Sequence, residues 1–354
     1  MVALSDQAGI VRAGEDLDIA RLQPFLQARL GDTGPITVEQ FPGGHSNLTY
    51  LLRLGDRELV LRRPPFGSKV RSAHDMAREF RVLSKLHTAY PLAPKALLYC
   101  DDPSILNAPF YLMEPIRGLI IRRDSPPGVP FPPETTRHLS EVFIDNLARL
   151  HGLDYAAVGL ADLGKPQGYL ERQVKGWIER YHNAKTHDLP EVDRISPWLL
   201  ARMPATHESA LIHNDYKYDN LVLDRNDATK IVGVLDWEMC TIGDPLTDVG
   251  TALAYWTDPQ DPEDFQEIRS APTTLPGTLT RAQLVERYAA AASRDPGDMI
   301  FYLAFARFKV AVIIQQIYYR YAQGLTQDER FAVLPKRIQT LMRASWRTAE
   351  SGTI

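Results

Sequence analysis

Residues 211–220 read LIHNDYKYDN, and the rest of the chain can be organised around this stretch. Its apolar entry leads into His213, Asp215 and Asn220 at the spacing H-x-D-x-x-x-x-N. A second acidic residue, Asp236, ends an apolar run within the sequence VLDWE at residues 234–238. A carboxylate that can take a proton, followed by an amide and a carboxylate that can hold a metal, is the set of groups used in phosphoryl transfer.

The segment between Asn220 and Asp236 predicts how these groups come together. Residues 221–223 and 231–234 are apolar and flank a polar turn, which is typical of a hairpin that returns Asp236 to the side of Asn220. Amide and carboxylate oxygens are hard ligands that suit Mg²⁺. His213 is expected to brace the loop, with metal ligation as the alternative. The competing interpretation is that all these residues are ordinary Asp and Asn turn residues.

Composition limits the classes of protein to consider. The chain has 354 residues, 44% hydrophobic and 24% charged, which is typical of a globular protein with two lobes. A net charge of −4 gives no electrostatic reason to expect a nucleic-acid partner. The two cysteines, Cys100 and Cys240, form no C-x-x-C pair, which argues against a disulfide framework or a structural zinc site. Residues 1–16 lack a signal-peptide pattern, and charges interrupt the apolar residues 299–321, so we expect a cytoplasmic protein without a membrane span.

The first third of the chain reads as a helix followed by a small antiparallel sheet. A helix is expected at residues 18–30, and strands at 36–41, 48–54 and 58–63. The sequence PGGHSN between the first two strands contains Gly43, Gly44, His45 and Ser46, whose backbone N–H groups could approach an anion closely. A plain hairpin turn is the alternative, because no G-x-G-x-x-G or Walker A pattern is present.

A charged pair is expected on the neighbouring elements. The third strand ends in Arg62 and Arg63, and strand alternation predicts that one of them points into whatever the sheet covers. Solvation of both at the strand end is the alternative. A helix at residues 73–88 carries Glu79 beside a buried stripe that includes Phe80. Arg62 and Glu79 together are the kind of pair that orients a phosphate-binding cation.

The remaining pattern predicts an α+β fold. Strands are expected at residues 96–100 and 110–114, and Pro115 marks a boundary between a β-rich lobe of residues 1–115 and a helical lobe of residues 116–354. Helices in the second lobe are expected at residues 134–151, 169–184, 195–203, 245–256, 281–291, 299–323 and 327–348. Asp244 and Pro245 are suited to begin the helix at 245–256. Asp248 in its first turn either favours the helix dipole or ties the backbone of the 211–220 loop.

These residues together resemble the aminoglycoside phosphotransferase family, small-molecule kinases with a two-lobed protein-kinase-like fold. The matching stretches occur in family order, at residues 43–47, 59–62, 78–80, 111–114, 213–220, 236–238 and 244–248. The sequences VLRRPP at residues 60–65 and QVKGW at residues 173–177 are similar to the branch fused to some acyl-CoA dehydrogenases.

The resemblance implies a role for each matched residue. Asp215 would be the catalytic base, and Asn220 and Asp236 would be the Mg²⁺ ligands. The loop from Gly43 to Ser46 would cover the phosphates of ATP or GTP, and Met113 and Glu114 would lie at the adenine-binding hinge. The family places Lys where this chain has Arg62, which keeps the charge but changes the geometry. Glu79 is available to orient the Arg62 side chain.

The function predicted in this way is transfer of a phosphoryl group to a hydroxyl of a small molecule. The cations Arg307, Lys309 and Arg320 at residues 299–323 favour an anionic acceptor such as a hydroxy acid or a hydroxyacyl-CoA, with ordinary surface charge as the alternative. A nucleotide-binding protein with little or no transferase activity is the competing function, and an unrelated hydrolase or scaffold is a third. The choice between ATP and GTP stays open, and a homodimer stays an open alternative for the oligomeric state.

Overall fold

The structure, a computed structural model, describes residues 7–31, 33–42, 47–66, 75–125, 128–205, 208–326 and 328–354. It divides into two compact units. The first unit comprises Met1–Ile120, Pro126–Val129 and Asn220–Met239. The second comprises Ile121–Ser125, Pro130–Asp219 and Cys240–Ile354. The lobe boundary after residue 115 stays a prediction.

The regular elements follow the predicted alternation of strands and helices. The strands are β1 (Ile36–Gln40), β2 (Leu48–Leu54), β3 (Arg57–Arg63), β4 (Ala96–Cys100), β5 (Phe110–Met113), β6 (Ala210–Ile212), β7 (Leu221–Leu223), β8 (Ile231–Val234) and β9 (Thr241–Gly243). The helices are α1 (Ile19–Leu30), α2 (Met76–Leu86), α3 (Pro103–Leu106), α4 (Pro133–His151), α5 (Tyr169–Asn183), α6 (Pro190–Ala201), α7 (Pro245–Ala254), α8 (Glu263–Glu267), α9 (Arg281–Ala292), α10 (Met299–Ala322) and α11 (Leu334–Ser351).

The first unit is built on an antiparallel sheet with the strand order β1-β2-β3-β5-β4. Apolar residues of β2 and β3 alternate into a core that also receives Leu22 and Leu26 of α1. Helix α1 ends at Gly31, whose φ of 72° is a left-handed conformation that glycine adopts without strain. These strands and α1 confirm the predicted pattern of the first third of the chain.

The hairpin of β7 and β8 also belongs to the first unit, although it lies far along the sequence. The hairpin itself was predicted from the sequence, and the structure pairs Leu221 with Val234 in it. Hydrogen bonds fasten the hairpin to the rest of the unit, from the Val234 N–H to the Leu92 carbonyl at 2.7 Å and from the Leu119 N–H to the Leu223 carbonyl at 2.8 Å. Residues 220 and 235–238 lie next to the ends of these two strands, so the same backbone bonds fix their positions in the first unit.

The second unit is helical, and α10 lies in its interior. Helix α10 contacts α5, α7 and α11. Among the described residues, α10 is the helix that is long enough and apolar enough to cross a membrane. However, 72% of its most apolar stretch is buried in the protein. That burial is typical of a core helix, and a cytoplasmic location stays a prediction.

Two predicted helices of the second unit have different bounds. Helix α6 begins at Pro190, five positions before the predicted start, because proline is well suited to a first helical turn. The helix expected at residues 327–348 begins as a 3-10 turn at Glu329–Val333 and continues as α11 to Ser351. Short elements such as α3, α8, β6 and β9 were not predicted.

Candidate functional site

Arg62 is the centre of an ion cluster in the first unit. Its Nη2 donates to Asp236 Oδ1 at 2.6 Å and to Glu238 Oε2 at 2.9 Å. Its Nε lies 3.3 Å from Glu79 Oε2. The Arg62 side chain is 12% exposed and that of Glu79 is 3% exposed, so salt screens these charges little. The expectation that Arg62 and Arg63 are both solvated is therefore wrong, since Arg63 is buried as well.

The buried face of helix α2 keeps most of the predicted stripe but includes Glu79 and not Phe80. Glu79 is fully covered whereas Phe80 is half-buried, because the helix turns its carboxylate toward Arg62. Burial by itself would lower the pKa of Arg62, but Glu79 and Asp236 hold it well above the ordinary value. The pKa of Glu79 is raised by burial, against the opposing effect of Arg62. The guanidinium therefore stays charged, and it forms ion pairs with three carboxylates at once.

Glu238 is a member of this cluster that the sequence analysis did not assign. Besides Arg62, its Oε2 accepts a hydrogen bond from Asn47 Nδ2 at 2.9 Å. Its backbone carbonyl accepts one from Arg78 Nη1 at 3.3 Å. The sequence offered one signal for Glu238, which is its position two residues after Asp236. It lies in the 3-10 turn Trp237–Met239 that follows Asp236 directly.

Asn220 and Asp236 lie at the same end of the β7–β8 hairpin. The Leu235 N–H donates to the Asn220 carbonyl at 2.7 Å, which fixes the backbone beside both residues. Asp236 has a φ of 66°, in the left-handed region that Asp enters more readily than most residues. Within the described ranges, no three His, Cys, Asp or Glu side chains are arranged to hold a metal. An amide and a carboxylate nevertheless supply hard oxygen donors of the kind that would suit Mg²⁺.

The other predicted nucleotide contacts are only partly described. Gly43, Gly44, His45 and Ser46 lie outside the described residues. Met113 is the last residue of β5 and is buried. The Glu114 N–H donates to the Lys95 carbonyl at 2.9 Å, and its carboxylate meets Lys95 Nζ at 2.8 Å on the surface. The hinge role of these two residues stays a prediction.

Asp215 lies in the second unit and is held from both sides. Lys217 Nζ donates to its Oδ2 at 2.8 Å, and the Tyr255 hydroxyl donates to its Oδ1 at 2.9 Å. Burial alone would lower the pKa of Lys217, but the Asp215 carboxylate raises it well above the ordinary value. The ammonium therefore remains charged beside Asp215. The sequence analysis assigned neither partner, although Lys217 stands two residues from Asp215.

Asp248 fixes the backbone of the loop that carries Asp215. Its Oδ2 accepts from the His213 N–H at 2.6 Å, and its Oδ1 accepts from the Asn214 N–H at 2.7 Å. Burial by itself would raise the pKa of Asp248. The hydrogen bond from His151 and the nearby side chains of His151 and His213 nevertheless keep this pKa below the ordinary value. Of the two roles predicted for Asp248, the tie to the loop backbone is thus the one the contacts support. Asp244 caps α7 as predicted, accepting from the Leu246 N–H at 2.9 Å.

The cations predicted on α10 do not form one surface. Arg307 is buried, donates to Thr348 and lies over the Phe265 ring. Lys309 is buried, and only Arg320 is exposed. The interpretation of Arg307 and Lys309 as surface charge is therefore wrong. Their contacts lie within the unit, so they give no argument for an anionic acceptor.

The chain matches one described protein family over most of its length. Residues 37–297 match the model of a family described as the phosphotransferase enzyme family. The chain is 35% identical over 329 residues to acyl-CoA dehydrogenase family member 10 of Mus musculus, and the match covers 92% of this chain. It covers 30% of the mouse protein, so the chain spans about a third of that relative's length.

Solved structures show the same fold. A crystal structure from Ralstonia eutropha, of a protein assigned provisionally as an aminoglycoside phosphotransferase, has a TM-score of 0.80 and 29% identity. The match covers 95% of this chain and 99% of that one. An aminoglycoside phosphotransferase in complex with AMP-PNP and hygromycin B has a TM-score of 0.59 and 14% identity, with coverage of 92% and 97%. The predicted kinase-like α+β fold is confirmed.

Proposed function

The chain belongs to the phosphotransferase enzyme family, and we propose that it transfers the terminal phosphoryl group of ATP or GTP to a hydroxyl group of a small molecule. The observation that carries this proposal is the Asp215 side chain. It is held by Lys217 and Tyr255 on a loop whose backbone Asp248 fixes. Phosphoryl transfer depends mainly on positioning and charge stabilisation, which is what a side chain held in this way supplies.

Asp215 would orient the acceptor hydroxyl and take its proton. The acceptor oxygen forms a bond to the terminal phosphorus while the bond from that phosphorus to its bridging oxygen breaks. The nucleoside diphosphate leaves with the bonding electrons, and the hydroxyl proton passes to Asp215. Lys217 would hold the Asp215 carboxylate in place, because its ammonium is paired with that carboxylate at 2.8 Å.

Residues of the first unit would bind the nucleotide. Asn220 and Asp236 would hold Mg²⁺, which would neutralise negative charge on the phosphates. Arg62, oriented by Glu79, would place a cation at the phosphates. Gly43 to Ser46 would cover the phosphates, and Met113 and Glu114 would contact the base. Support for a nucleotide donor comes from the fold relative bound to AMP-PNP.

For the acceptor we propose a hydroxy acid or a hydroxyacyl-CoA. The support is that the mouse relative is named for acyl-CoA and that the match covers 92% of the present chain. Arg307 and Lys309 no longer contribute to this choice, because both are buried in the second unit.

The test of the proposal is Asp215→Asn, assayed by nucleotide consumption with a panel of hydroxy acids, hydroxyacyl-CoAs and other hydroxylated metabolites. We expect turnover to fall about 10²–10⁴-fold, the usual contribution of a positioned base, while nucleotide affinity changes less than about twofold. Asp188→Asn is the matched control, because that aspartate is 90% exposed and its variant loses the same charge. Its turnover should equal that of the wild type.

Two results would contradict the proposal. Turnover of Asp215→Asn close to the wild-type rate would exclude Asp215 as the base. Nucleotide binding by the wild type without phosphoryl transfer to any acceptor class would favour the alternative, a nucleotide-binding protein with little or no transferase activity.

A further inference from the structure

Lys309 is a buried lysine in α10 that the proposed reaction does not use. It is 4% exposed, in the interior of the second unit. Its Nζ donates to the backbone carbonyl of Asn214 at 3.1 Å and to the side-chain Oδ1 of the same residue at 3.2 Å. An ammonium in a protein interior is costly and persists where hydrogen bonds and nearby negative charge compensate it.

Asn214 is the residue that precedes Asp215, and its conformation is unusual. Its φ is 69°, in the left-handed region where a residue other than glycine is strained unless its surroundings hold it. Its N–H donates to Asp248 at 2.7 Å. Its Oδ1 accepts from the Tyr169 hydroxyl at 3.3 Å as well as from Lys309. The residue is thus held at its N–H by a carboxylate and at its carbonyl by an ammonium.

We propose that Lys309 is a positioning residue, one that fixes the peptide between Asn214 and Asp215 and so sets the direction of the Asp215 side chain. The inference rests on the proposed role of Asp215 as the base. The carbonyl that Lys309 contacts belongs to the peptide bond leading into Asp215, so a change in the ψ angle of Asn214 would redirect the backbone and the side chain of Asp215. Lys309 itself does not touch the reacting atoms, and it acts through Asn214.

The charge of Lys309 gives this role a pH dependence. Burial lowers its pKa to about 8, against the opposing effects of Asp248 and Asp215. Tyr169 on α5 contacts the Asn214 Oδ1 that Lys309 also contacts, and the His213 N–H contacts Asp248. The pKa of Tyr169 is raised and that of Asp248 is lowered, both away from this range. As pH rises through 8, Lys309 loses its charge and holds the Asn214 carbonyl less strongly.

The experiment compares Lys309→Met with the wild type and with Lys336→Met, the same substitution at a lysine of α11 whose side chain is 68% exposed. In Lys309→Met we expect kcat to fall about 10²-fold, the effect of a displacement of about 1 Å in the reacting geometry, with nucleotide KM within about twofold. The wild-type rate should fall as pH rises through about 8, and this alkaline decrease should be absent from Lys309→Met. Lys336→Met should match the wild type in all three measurements.

A second measurement does not depend on activity. Hydrogen–deuterium exchange over residues 213–217 should be faster in Lys309→Met than in the wild type and unchanged in Lys336→Met. If Lys309→Met fails to fold, Lys309→Gln, which keeps a polar donor, replaces it in both measurements with the same expected direction.

The outcomes separate this inference from the proposed function. Wild-type kcat and unchanged exchange in the Lys309 variant would overturn the positioning role while leaving the phosphotransferase intact. Failure of the wild type to transfer phosphate to any acceptor would contradict the proposed function. In that case the exchange rates still decide whether Lys309 holds the loop: faster exchange supports it, and unchanged exchange overturns it.

Discussion

Arg62 uses the geometry of its guanidinium in a way that a lysine could not reproduce. Its Nη2 contacts Asp236 and Glu238 together, and its Nε faces Glu79. A lysine ammonium is a compact point charge and lacks the planar fork that reaches groups on different sides. This chain has Arg62 where the family pattern has Lys. That arginine is the one cation shared by three carboxylates.

Removing that cation should destabilise the protein. In Arg62→Met the carboxylates of Glu79, Asp236 and Glu238 would lose their shared partner. We expect a loss of about 2–4 kcal/mol in the free energy of unfolding, below the figure for a fully buried pair because Asp236 and Glu238 are partly exposed. Millimolar Mg²⁺ should restore part of this loss in the variant, because a divalent cation replaces the missing positive charge.

The measurement is denaturant unfolding with and without Mg²⁺, with Arg53→Met as the control. Arg53 on β2 pairs with Glu39 of β1 and Glu58 of β3 but is 41% exposed, so its removal should cost less than about 1 kcal/mol. Equal losses in the two variants, or no preferential effect of Mg²⁺ on Arg62→Met, would contradict the interpretation of the cluster.

The first turn of α7 organises the loop before Asp215. Asp244 caps the helix, and one turn later Asp248 accepts the N–H groups of two successive loop residues, His213 and Asn214. Strands β6 and β9 pair antiparallel, with Ile212 opposite Thr241 and Ala210 opposite Gly243, so the loop and α7 leave this short ribbon at opposite ends. The Asp248 carboxylate in the first turn of α7 is therefore what ties the loop backbone to the helix.

Loss of the Asp248 charge should be costly for this element. Asp248→Asn keeps the size of the side chain but replaces one carboxylate oxygen by an amide donor that would face an N–H group. We expect a loss of about 2–4 kcal/mol of stability at neutral pH. Because the folded-state pKa of Asp248 is lowered, its contribution is present above the unfolded-state pKa and is lost as pH falls through the folded-state value.

The check is the free energy of unfolding of Asp248→Asn across the acid range, compared with Asp244→Asn. Asparagine caps helices about as well as aspartate, so the Asp244 variant should lose less than about 1 kcal/mol. If the two variants are equally stable at neutral pH, the tie between Asp248 and the loop contributes little.

Ligand binding should be visible in the stability of the whole protein. A ligand that binds only the folded chain adds about 2.7 kcal/mol at a hundredfold excess over its Kd. For a protein of this size we expect a rise of several degrees in Tm with ATP or GTP together with Mg²⁺. Asp236→Ala should remove the part of the shift that depends on Mg²⁺, and Asp215→Asn should keep it. A shift that is independent of Mg²⁺ in the wild type would contradict the assignment of Asn220 and Asp236.

Much of the fold follows from local patterns that the sequence displays. The alternation in β2 and β3, the Gly31 end of α1 and the Asp244 cap of α7 depend on residues close together in the chain, and they were predicted close to their observed positions. The β7–β8 hairpin was also predicted, because two apolar runs flank one polar turn. Short elements such as β6, β9, α3 and α8 were missed, since so few residues carry too weak a periodicity.

The sequence by itself determined which residues are candidates for the chemistry, and the tertiary structure decided which groups accompany them. The order of His213, Asp215, Asn220 and Asp236 is a property of the chain, so its spacing could be read directly. Glu238 at Arg62, Tyr255 at Asp215 and Lys309 at Asn214 are contacts over 40 to 176 positions of the chain. Such contacts follow from the packing of elements distant in sequence. Residues 301–312 of α10 are all buried, so this part of the helix has no polar face from which the sequence could show that Lys309 is an interior cation.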